Sequence, residues 1–194
     1  MPKTAENSLN LRVTVYCSMF TALMIIGGFI SIPIGPVPIA LADFFVMTAG
    51  LFLGFKYGLM STALFIALGI LGMPVFAGGA AGLAVIAGPT GGYLLGYLLA
   101  AASIGLISGG KKISNIKNML SLITGNILLY AAGVPWLKMV MGLSWKAALA
   151  AGLIPFLPGA AIKIAVALAL GKMILPHFRE NMSAASLIAL NGEN

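Results

Sequence analysis

Apolar residues form six long stretches along this chain, separated by proline, glycine and charged clusters. The stretches lie near residues 12–31, 41–54, 58–72, 85–108, 119–140 and 159–176. A helix needs about 20 apolar residues to cross the hydrocarbon layer of a membrane, so most of them are long enough, and the second and third are short. The pattern predicts an all-α membrane protein in which six transmembrane helices form a single membrane-embedded domain over residues 1–194.

The connections between these stretches differ in kind. The sequence GFKYG at 54–58 leaves room for only a tight hairpin turn between the second and third helices. The segment 143–158 ends in two prolines and is expected to be an interfacial or partly inserted helix before the last span. The first apolar run is too long for a signal peptide, so we expect a retained span. The polar ends, 1–11 and about 179–194, are expected to be loosely ordered cytoplasmic tails.

Composition supports the membrane interpretation. The chain is 60% hydrophobic and 8% charged, which is too little charge to cover a water-soluble protein of this size. Its net charge is +7, but the basic residues are spread singly between apolar runs and form no basic face for nucleic acid. We therefore expect a multi-pass protein of the cell membrane.

The basic residues predict the orientation by the positive-inside rule. With a cytoplasmic N-terminus, the outer side receives only Lys138 and Lys146. The inner side receives Lys3, Arg12, Lys56, Lys111, Lys112, Lys117, Lys172 and Arg179. Both termini are therefore expected to be cytoplasmic.

The same topology places three irregular segments on the outer face: a proline-rich turn at 34–38, a glycine-rich stretch that opens at 72, and the turn at 157–163. Irregular backbone at membrane depth is tolerated only where protein buries it or where it lines a cavity. We therefore expect an outward-facing ligand pocket that is capped by loops.

The sequence does not favour an enzyme. The glycine-rich stretch GMPVFAGGAAGLAVIAGPTGGY lacks the Gly-Lys-Ser/Thr ending of a nucleotide phosphate loop. His177, the single histidine, has no clustered cysteine or acidic partner for a metal, and no Ser-His-acid arrangement is evident. We expect neither catalysis nor a cofactor or metal bound by this chain.

Two charges lie near the predicted pocket. Lys163 falls a few residues inside the last span, where a lysine costs about 2.5–3.5 kcal/mol at mid-helix. It could be the counter-charge of an anionic ligand, or it could snorkel to the headgroups. Asp43 begins the second helix and could pair with Lys163, bind a ligand donor, or act as a charge at a helix N-terminus.

Small residues at spacing four, Thr14, Ser18 and Ala22, mark one face of the first helix. In lipid such a face lets another helix approach closely, either within the protein or from a partner. Four aromatic residues lie near the predicted outer ends of helices, where interfacial aromatics collect: Tyr93, Trp136, Trp145 and Phe156. Tyr93 directly follows the glycine-rich stretch.

Several motifs resemble those of a known family. PVPIAL at 36–41, GMPVFAGG at 72–79, GPTGGYLLGY at 88–97 and PFLPG followed by Lys163 are similar, in order and spacing, to the biotin-uptake S component family, BioY, of energy-coupling factor transporters. The resemblance covers residues 12–178. It implies a six-helix vitamin-binding protein of the prokaryotic plasma membrane that works with a transmembrane coupling subunit and two ATPases, which use the ATP. It also implies that Ser18 and Ala22, with Thr14 on the same face, contact the coupling subunit.

The chain departs from the family pattern at polar positions. Ala160 replaces an aspartate, Ala80 an asparagine, and Ala42 a glutamine, although Asp43 follows. The ureido ring of biotin carries hydrogen-bond donors and an acceptor. Each of these groups left unpaired in a dry pocket would cost about 1–3 kcal/mol. The losses therefore suit a ligand with an apolar head and a carboxylate, such as lipoate, whereas Asp43 could keep biotin as the ligand.

Both ligands stay open at this point, and a solitary carrier or channel that needs no ATPase is the alternative function; a structural scaffold would leave the outer segments unexplained. The residues expected to bind the ligand are Asp43, Phe76, Gly78, Gly79, Ala80, Thr90, Tyr93, Trp136, Ala160 and Lys163.

Overall fold

The computed structural model describes residues 3–109 and 114–191, and nearly all of them are helical. The helices are α1 Lys3–Phe29, α2 Ala42–Ile70, α3 Leu83–Ala87, α4 Gly91–Ser108, α5 Asn115–Met141, α6 Trp145–Gly152 and α7 Leu157–Asn191. Two short antiparallel strands, β1 Ser31–Ile32 and β2 Ile39–Ala40, join α1 to α2. Single 3₁₀ turns occur at Ala77–Gly79 and Ile154–Phe156. The strand pair was not predicted from the sequence.

Five segments within the described residues are long and apolar enough to cross a membrane. They are Leu11–Phe29, Ala42–Ile70, Gly91–Ser108, Asn115–Met141 and Trp145–Pro176. This confirms the predicted multi-pass helical architecture.

The segment Ala42–Ile70 is a helical hairpin because Gly54 interrupts it. Gly54 has φ 74° and ψ −170°, a backbone conformation that is essentially open to glycine alone. A Cβ added to Gly58 would lie 2.9 Å from the Cα of Gly50, whereas eight residues of straight helix would separate them by about 12 Å. The tight turn expected at 54–58 is therefore present, and it divides α2 into two antiparallel arms, 42–53 and 55–70.

α4 packs in the middle of the bundle, against α2 on one side and α5 on the other. A Cβ on Gly96 would lie 2.7 Å from the carbonyl oxygen of Leu129 in α5. A Cβ on Gly50 would lie 2.8 Å from the carbonyl oxygen of Ala101 in α4. Small residues at these crossings allow the close backbone contact that drives helix association in lipid.

The structure differs from the sequence expectation at two places. The apolar run expected at 85–108 is broken between Ala87 and Gly91, because Pro89 disfavours helical backbone at the residue before it. The tails expected to be loosely ordered are helical from Lys3 and as far as Asn191. No glycine or proline interrupts the chain between Lys3 and Ile26 or between His177 and Asn191, so nothing in the backbone ends these helices early.

The remaining expectations have mixed outcomes. A helix is present within 143–158, namely α6, as expected. Lys111 and Lys112, which entered the count of inner basic residues, lie outside the described residues. The cytoplasmic location of the termini stays a prediction.

Replacement of Gly54 by alanine should destabilise the protein, because alanine cannot adopt the φ of 74° without strain. We expect a loss of about 1–3 kcal/mol, measured by thermal unfolding in detergent. Gly159→Ala is the matched control, since an added Cβ meets no atom within 4 Å at either glycine and only Gly54 has a positive φ. Alanine at Gly159 should be neutral or slightly stabilising. Equal effects of the two substitutions would contradict this role of Gly54.

Candidate ligand-binding cavity

A cavity of about 380 Å³ lies at the end of the bundle where the irregular segments meet, a size typical of small-molecule sites. The turn between β1 and β2 lines it with Pro36 and Pro38, and the glycine-rich segment with Phe76 and Ala80. The third predicted segment, 157–163, does not line the cavity, because it is the helical start of α7 rather than a turn, and Phe156 just before it lines the cavity instead. The predicted convergence on a pocket is therefore confirmed for two of the three segments and is wrong for the third.

The glycine-rich segment is held in place by Phe76 and by backbone hydrogen bonds. The Phe76 side chain is buried, packs against Gly69 and lies 5.6 Å from the Phe65 ring, centroid to centroid. The Phe76 amide donates to the Ala80 carbonyl at 3.0 Å, and the Gly82 amide donates to the Gly69 carbonyl at 2.7 Å. These contacts fix the segment against α2, where it forms a wall of the cavity.

Three aromatic rings form the opposite wall: Tyr93 of α4, Tyr130 of α5 and Phe156. Tyr93 and Phe156 stack with centroids 6.1 Å apart, and Tyr130 meets each ring edge-on. The Tyr93 hydroxyl donates to the Gly152 carbonyl at 2.7 Å and is therefore occupied. Tyr93 offers the cavity its apolar ring.

Lys163 and Asp43 form an ion pair at the edge of the cavity. Lys163 Nζ lies 2.6 Å from Asp43 Oδ1 and donates to the Ala40 carbonyl at 2.7 Å. The lysine and aspartate side chains are 12% and 13% exposed. Asp43 lines the cavity and Lys163 does not. Of the alternatives left open by the sequence, the structure selects pairing between the two residues over snorkelling of Lys163.

The free polar groups of the cavity come from Asp43 and two tyrosines. Asp43 Oδ1 also accepts from the Phe44 amide at 2.8 Å, and no described residue other than Asp43 itself donates a hydrogen bond to Oδ2. Tyr97 and Tyr130 line the same cavity, and their hydroxyls make no hydrogen bond to any described residue. One carboxylate oxygen and two hydroxyls are thus available to a ligand.

Sequence reasoning missed Tyr97 and Tyr130. The spacing of Tyr93 and Tyr97 contained a signal for the first, because residues four apart lie on the same helix face. Tyr130 lies in the middle of a long apolar run, and nothing in its neighbourhood marks it.

The structure separates the predicted ligand-binding residues into two groups. Those that line the cavity are Asp43, Phe76, Ala80, Thr90 and Tyr93. Those outside the lining are Gly78, Gly79, Trp136, Ala160 and Lys163.

The residues outside the lining support it in different ways. Gly78 and Gly79 supply the positive φ values of the turn after Phe76, at 68° and 80°. Trp136 Nε1 donates to the Gly88 carbonyl at 2.9 Å and so holds the loop before α4. Ala160 is buried and faces a separate groove between α5, α6 and α7. The small residues of α1, Thr14, Ser18 and Ala22, are all exposed on the surface of the bundle.

The ion pair allows a direct test of its contribution to stability. Asp43→Asn or Lys163→Met should each lower stability by about 3–5 kcal/mol, because each leaves a buried charge without its partner. The double variant should recover most of this loss, since it contains neither charge. Thermal unfolding in detergent without ligand measures both effects, and additive losses in the double variant would contradict the pairing.

Comparison with known proteins places the chain in a family. The model of the BioY family matches residues 1–180. A biotin transporter BioY of Thermotoga maritima is 41% identical, over 81% of this chain and 92% of that protein. A biotin transporter BioY of Lactococcus lactis is 36% identical, over 81% of this chain and 87% of that protein.

A solved structure agrees with these relatives. The crystal structure of the S-component for biotin from an ECF-type ABC transporter matches with a TM-score of 0.79 and 33% identity, over 90% of this chain and 94% of that one. This chain is therefore a multi-pass protein of the cell membrane that belongs to the BioY family.

Proposed function

We propose that this chain is the biotin-binding S component of an ECF-type vitamin importer. The observation that carries the proposal is the cavity, which combines an aromatic wall with a free carboxylate oxygen of Asp43 and the free hydroxyls of Tyr97 and Tyr130. The names of the similar proteins, biotin transporters and an S-component for biotin, support the same ligand.

The polar groups of the cavity suit the head of biotin. A ureido ring presents two N–H donors and one carbonyl acceptor, and the rest of the bicyclic head is apolar. Asp43 Oδ2 can accept from an N–H group, and a tyrosine hydroxyl can donate to the carbonyl. These groups supply polarity to the cavity that alanine at position 80 does not.

Lipoate fits the same groups less well. Its dithiolane ring has no N–H donor, so the Asp43 oxygen and both hydroxyls would lose water without gaining a partner. Each buried polar group left unpaired costs about 1–3 kcal/mol. Both ligands also have a carboxylate, which Asp43 would repel. With the biotin head at Asp43, the biotin carboxylate lies at the other end of the cavity.

Transport would use the two ends of the bundle differently. The described residues place Arg12, Lys56, Lys117 and Lys172 toward the end with the Gly54 turn. The cavity end has Lys138 and Lys146, besides Lys163, which is paired with Asp43. Because cytoplasmic connections carry the excess of basic residues, we assign the cavity to the outer face and both termini to the cytoplasm. Six passes result: α1, the two arms of α2, α4, α5 and α7.

The energy of transport would come from partners. The exposed face of α1 with Thr14, Ser18 and Ala22 is the surface we assign to a transmembrane coupling subunit. Two cytoplasmic ATPases, which hydrolyse ATP, would complete the importer.

Calorimetry on the purified protein tests the ligand. Biotin should bind, and lipoate should bind more weakly because it leaves Asp43 and the hydroxyls unpaired. Tyr97→Phe and Tyr130→Phe should each weaken biotin binding about 2- to 12-fold, the equivalent of one hydrogen bond. Tyr57→Phe, next to the Gly54 turn and away from the cavity, is the control and should leave affinity unchanged. If lipoate binds more tightly than biotin, lipoate is the better candidate for the ligand. If neither compound gives a binding signal, the proposal is contradicted.

Uptake measurements test the coupling. Ala22→Trp should reduce biotin uptake by roughly tenfold in cells that contain the coupling subunit and ATPases, because overpacking a close contact costs about 1–3 kcal/mol. Binding by the purified variant should not change, since Ala22 lies outside the cavity lining. Met173→Trp, at an exposed residue of α7, is the control. Undiminished uptake in cells without the ATPase module would favour a solitary carrier instead.

A further inference from the structure

A second concave site lies on the flank of the bundle, away from the residues assigned to biotin. It is a groove of about 560 Å³ between α5, α6 and α7. One face of α5, from Ile123 to Pro135, lines one side of the groove. Trp145, Leu149 and Leu153, at spacing four, line the second side, and Leu157 to Ile164 of α7 line the third. The lining side chains are aliphatic or proline except for Asn126, Tyr130 and Trp145.

The dimensions of the groove match one leaflet of a bilayer. The lined part of α5, Ile123 to Pro135, rises about 18 Å. Half of the hydrocarbon thickness of a membrane is about 15 Å. Because this groove lies between segments long and apolar enough to span the membrane, we expect acyl chains to reach it. Alanines at 131, 160 and 161 leave the space that a chain would fill.

One end of the groove is positively charged. Lys138 continues the lining face of α5, three residues after Pro135 and four after Val134. Its Nζ lies 5.2 Å from the centroid of the Trp145 ring, which itself lines the groove. Lys146 follows Trp145 in the first turn of α6 and is exposed.

These two lysines have no acidic partner in the described part of the chain. No aspartate or glutamate occurs between residues 44 and 179, and the one ion pair of the described residues consumes Asp43. A second copy of this chain would bring the same shortage of acids. A phosphate group at the membrane surface supplies the missing charge, and each lysine near an anionic surface gains about 1 kcal/mol from it, or roughly fivefold in affinity.

From this combination we propose that the groove between α5, α6 and α7 binds an anionic phospholipid. One acyl chain lies against Ala131, Ala160 and Ala161, and the phosphate lies between Lys138 and Lys146. Tyr130 lines both this groove and the ligand cavity, so the lipid chain packs against the side of the cavity wall that faces the groove.

Brominated lipids give a direct test, because bromine on an acyl chain quenches a tryptophan that it contacts. The chain has two tryptophans, and Trp145 lines the groove and is 57% exposed. The Trp136→Phe variant is reconstituted with brominated phosphatidylglycerol or brominated phosphatidylcholine, each diluted in unbrominated phosphatidylcholine. Brominated phosphatidylglycerol should quench Trp145 at a lower mole fraction, by roughly fivefold for each lysine.

Charge variants separate the site from general attraction to an anionic surface. Lys138→Gln with Lys146→Gln should remove the preference for phosphatidylglycerol. The control Lys56→Gln with Lys172→Gln removes the same charge at exposed lysines outside the groove and should keep the preference. Ala161→Phe should reduce quenching by both lipids, because the ring fills the groove. If Trp136→Phe does not fold, the unsubstituted protein is measured instead. The fluorescence of the Trp145→Phe variant, which comes from Trp136 alone, is then subtracted to give the signal of Trp145.

Three results would overturn the proposal. The first is equal quenching by the two lipids, and the second is a preference that survives in Lys138→Gln with Lys146→Gln. The third is that neither lipid quenches the fluorescence of Trp145. If the protein then also has the mass of a dimer, a second copy of the chain occupies the groove. Biotin takes no part in these measurements, so their outcome does not depend on the transport proposal.

Discussion

The ion pair between Lys163 and Asp43 sets what the cavity can recognise. Two charges that are mostly buried are costly unless they pair, and here they pair at 2.6 Å while the Ala40 carbonyl accepts a second hydrogen bond from the lysine. The contact ties α7 to the start of α2 and to the strand before it. It also removes the positive charge from the cavity, because Asp43 stands between Lys163 and the ligand space. A ligand in this cavity would therefore meet a carboxylate oxygen, which favours an N–H donor over an acid.

The loops around the cavity can remain irregular because their polar backbone groups find partners within the protein. Gly82 donates to Gly69, Phe76 donates to Ala80, and the Gly88 carbonyl accepts from Trp136. Irregular backbone at membrane depth needs such partners, since hydrocarbon offers none. The same bonds fix the positions of Ala80 and Thr90 in the cavity wall.

The sequence predicted those features that depend on length and on backbone chemistry. Hydrophobic runs predicted the spans, and the two glycines of GFKYG predicted the hairpin, because a helix cannot continue through the conformation that Gly54 adopts. The break at Pro89 was missed, since the apolar run continues across it and hides the change of backbone. The helical ends of α1 and α7 were missed because polarity was taken as a sign of loose order, although both ends also contain alanine, leucine and glutamate, which have high helix propensity.

The geometry of the site was less predictable because it depends on side-chain direction. Lys163 and Asp43 were both identified, but one sequence cannot tell which of them faces the ligand; that depends on how α7 is rotated against α2. Tyr97 and Tyr130 were missed because aromatic residues in membrane helices mostly serve packing. Trp136 was placed at the ligand, and its indole N–H is used by Gly88 instead. Such hydrogen bonds between distant segments leave no pattern in the spacing of residues.

The position of the acidic residue has a consequence for how the helices are held. A carboxylate at position 160 would lie one turn from Lys163 on α7 itself, and would neutralise the lysine within a single helix. With Ala160 in that place, the charge comes from Asp43 on another helix, 120 residues away in sequence. The neutralisation of Lys163 thus becomes a tertiary contact that depends on the docking of α7. Two further features depend on having alanine at position 160 and the acid at position 43. The groove beside Ala160 needs a small residue on α7, and the free carboxylate oxygen in the cavity needs the acid on α2.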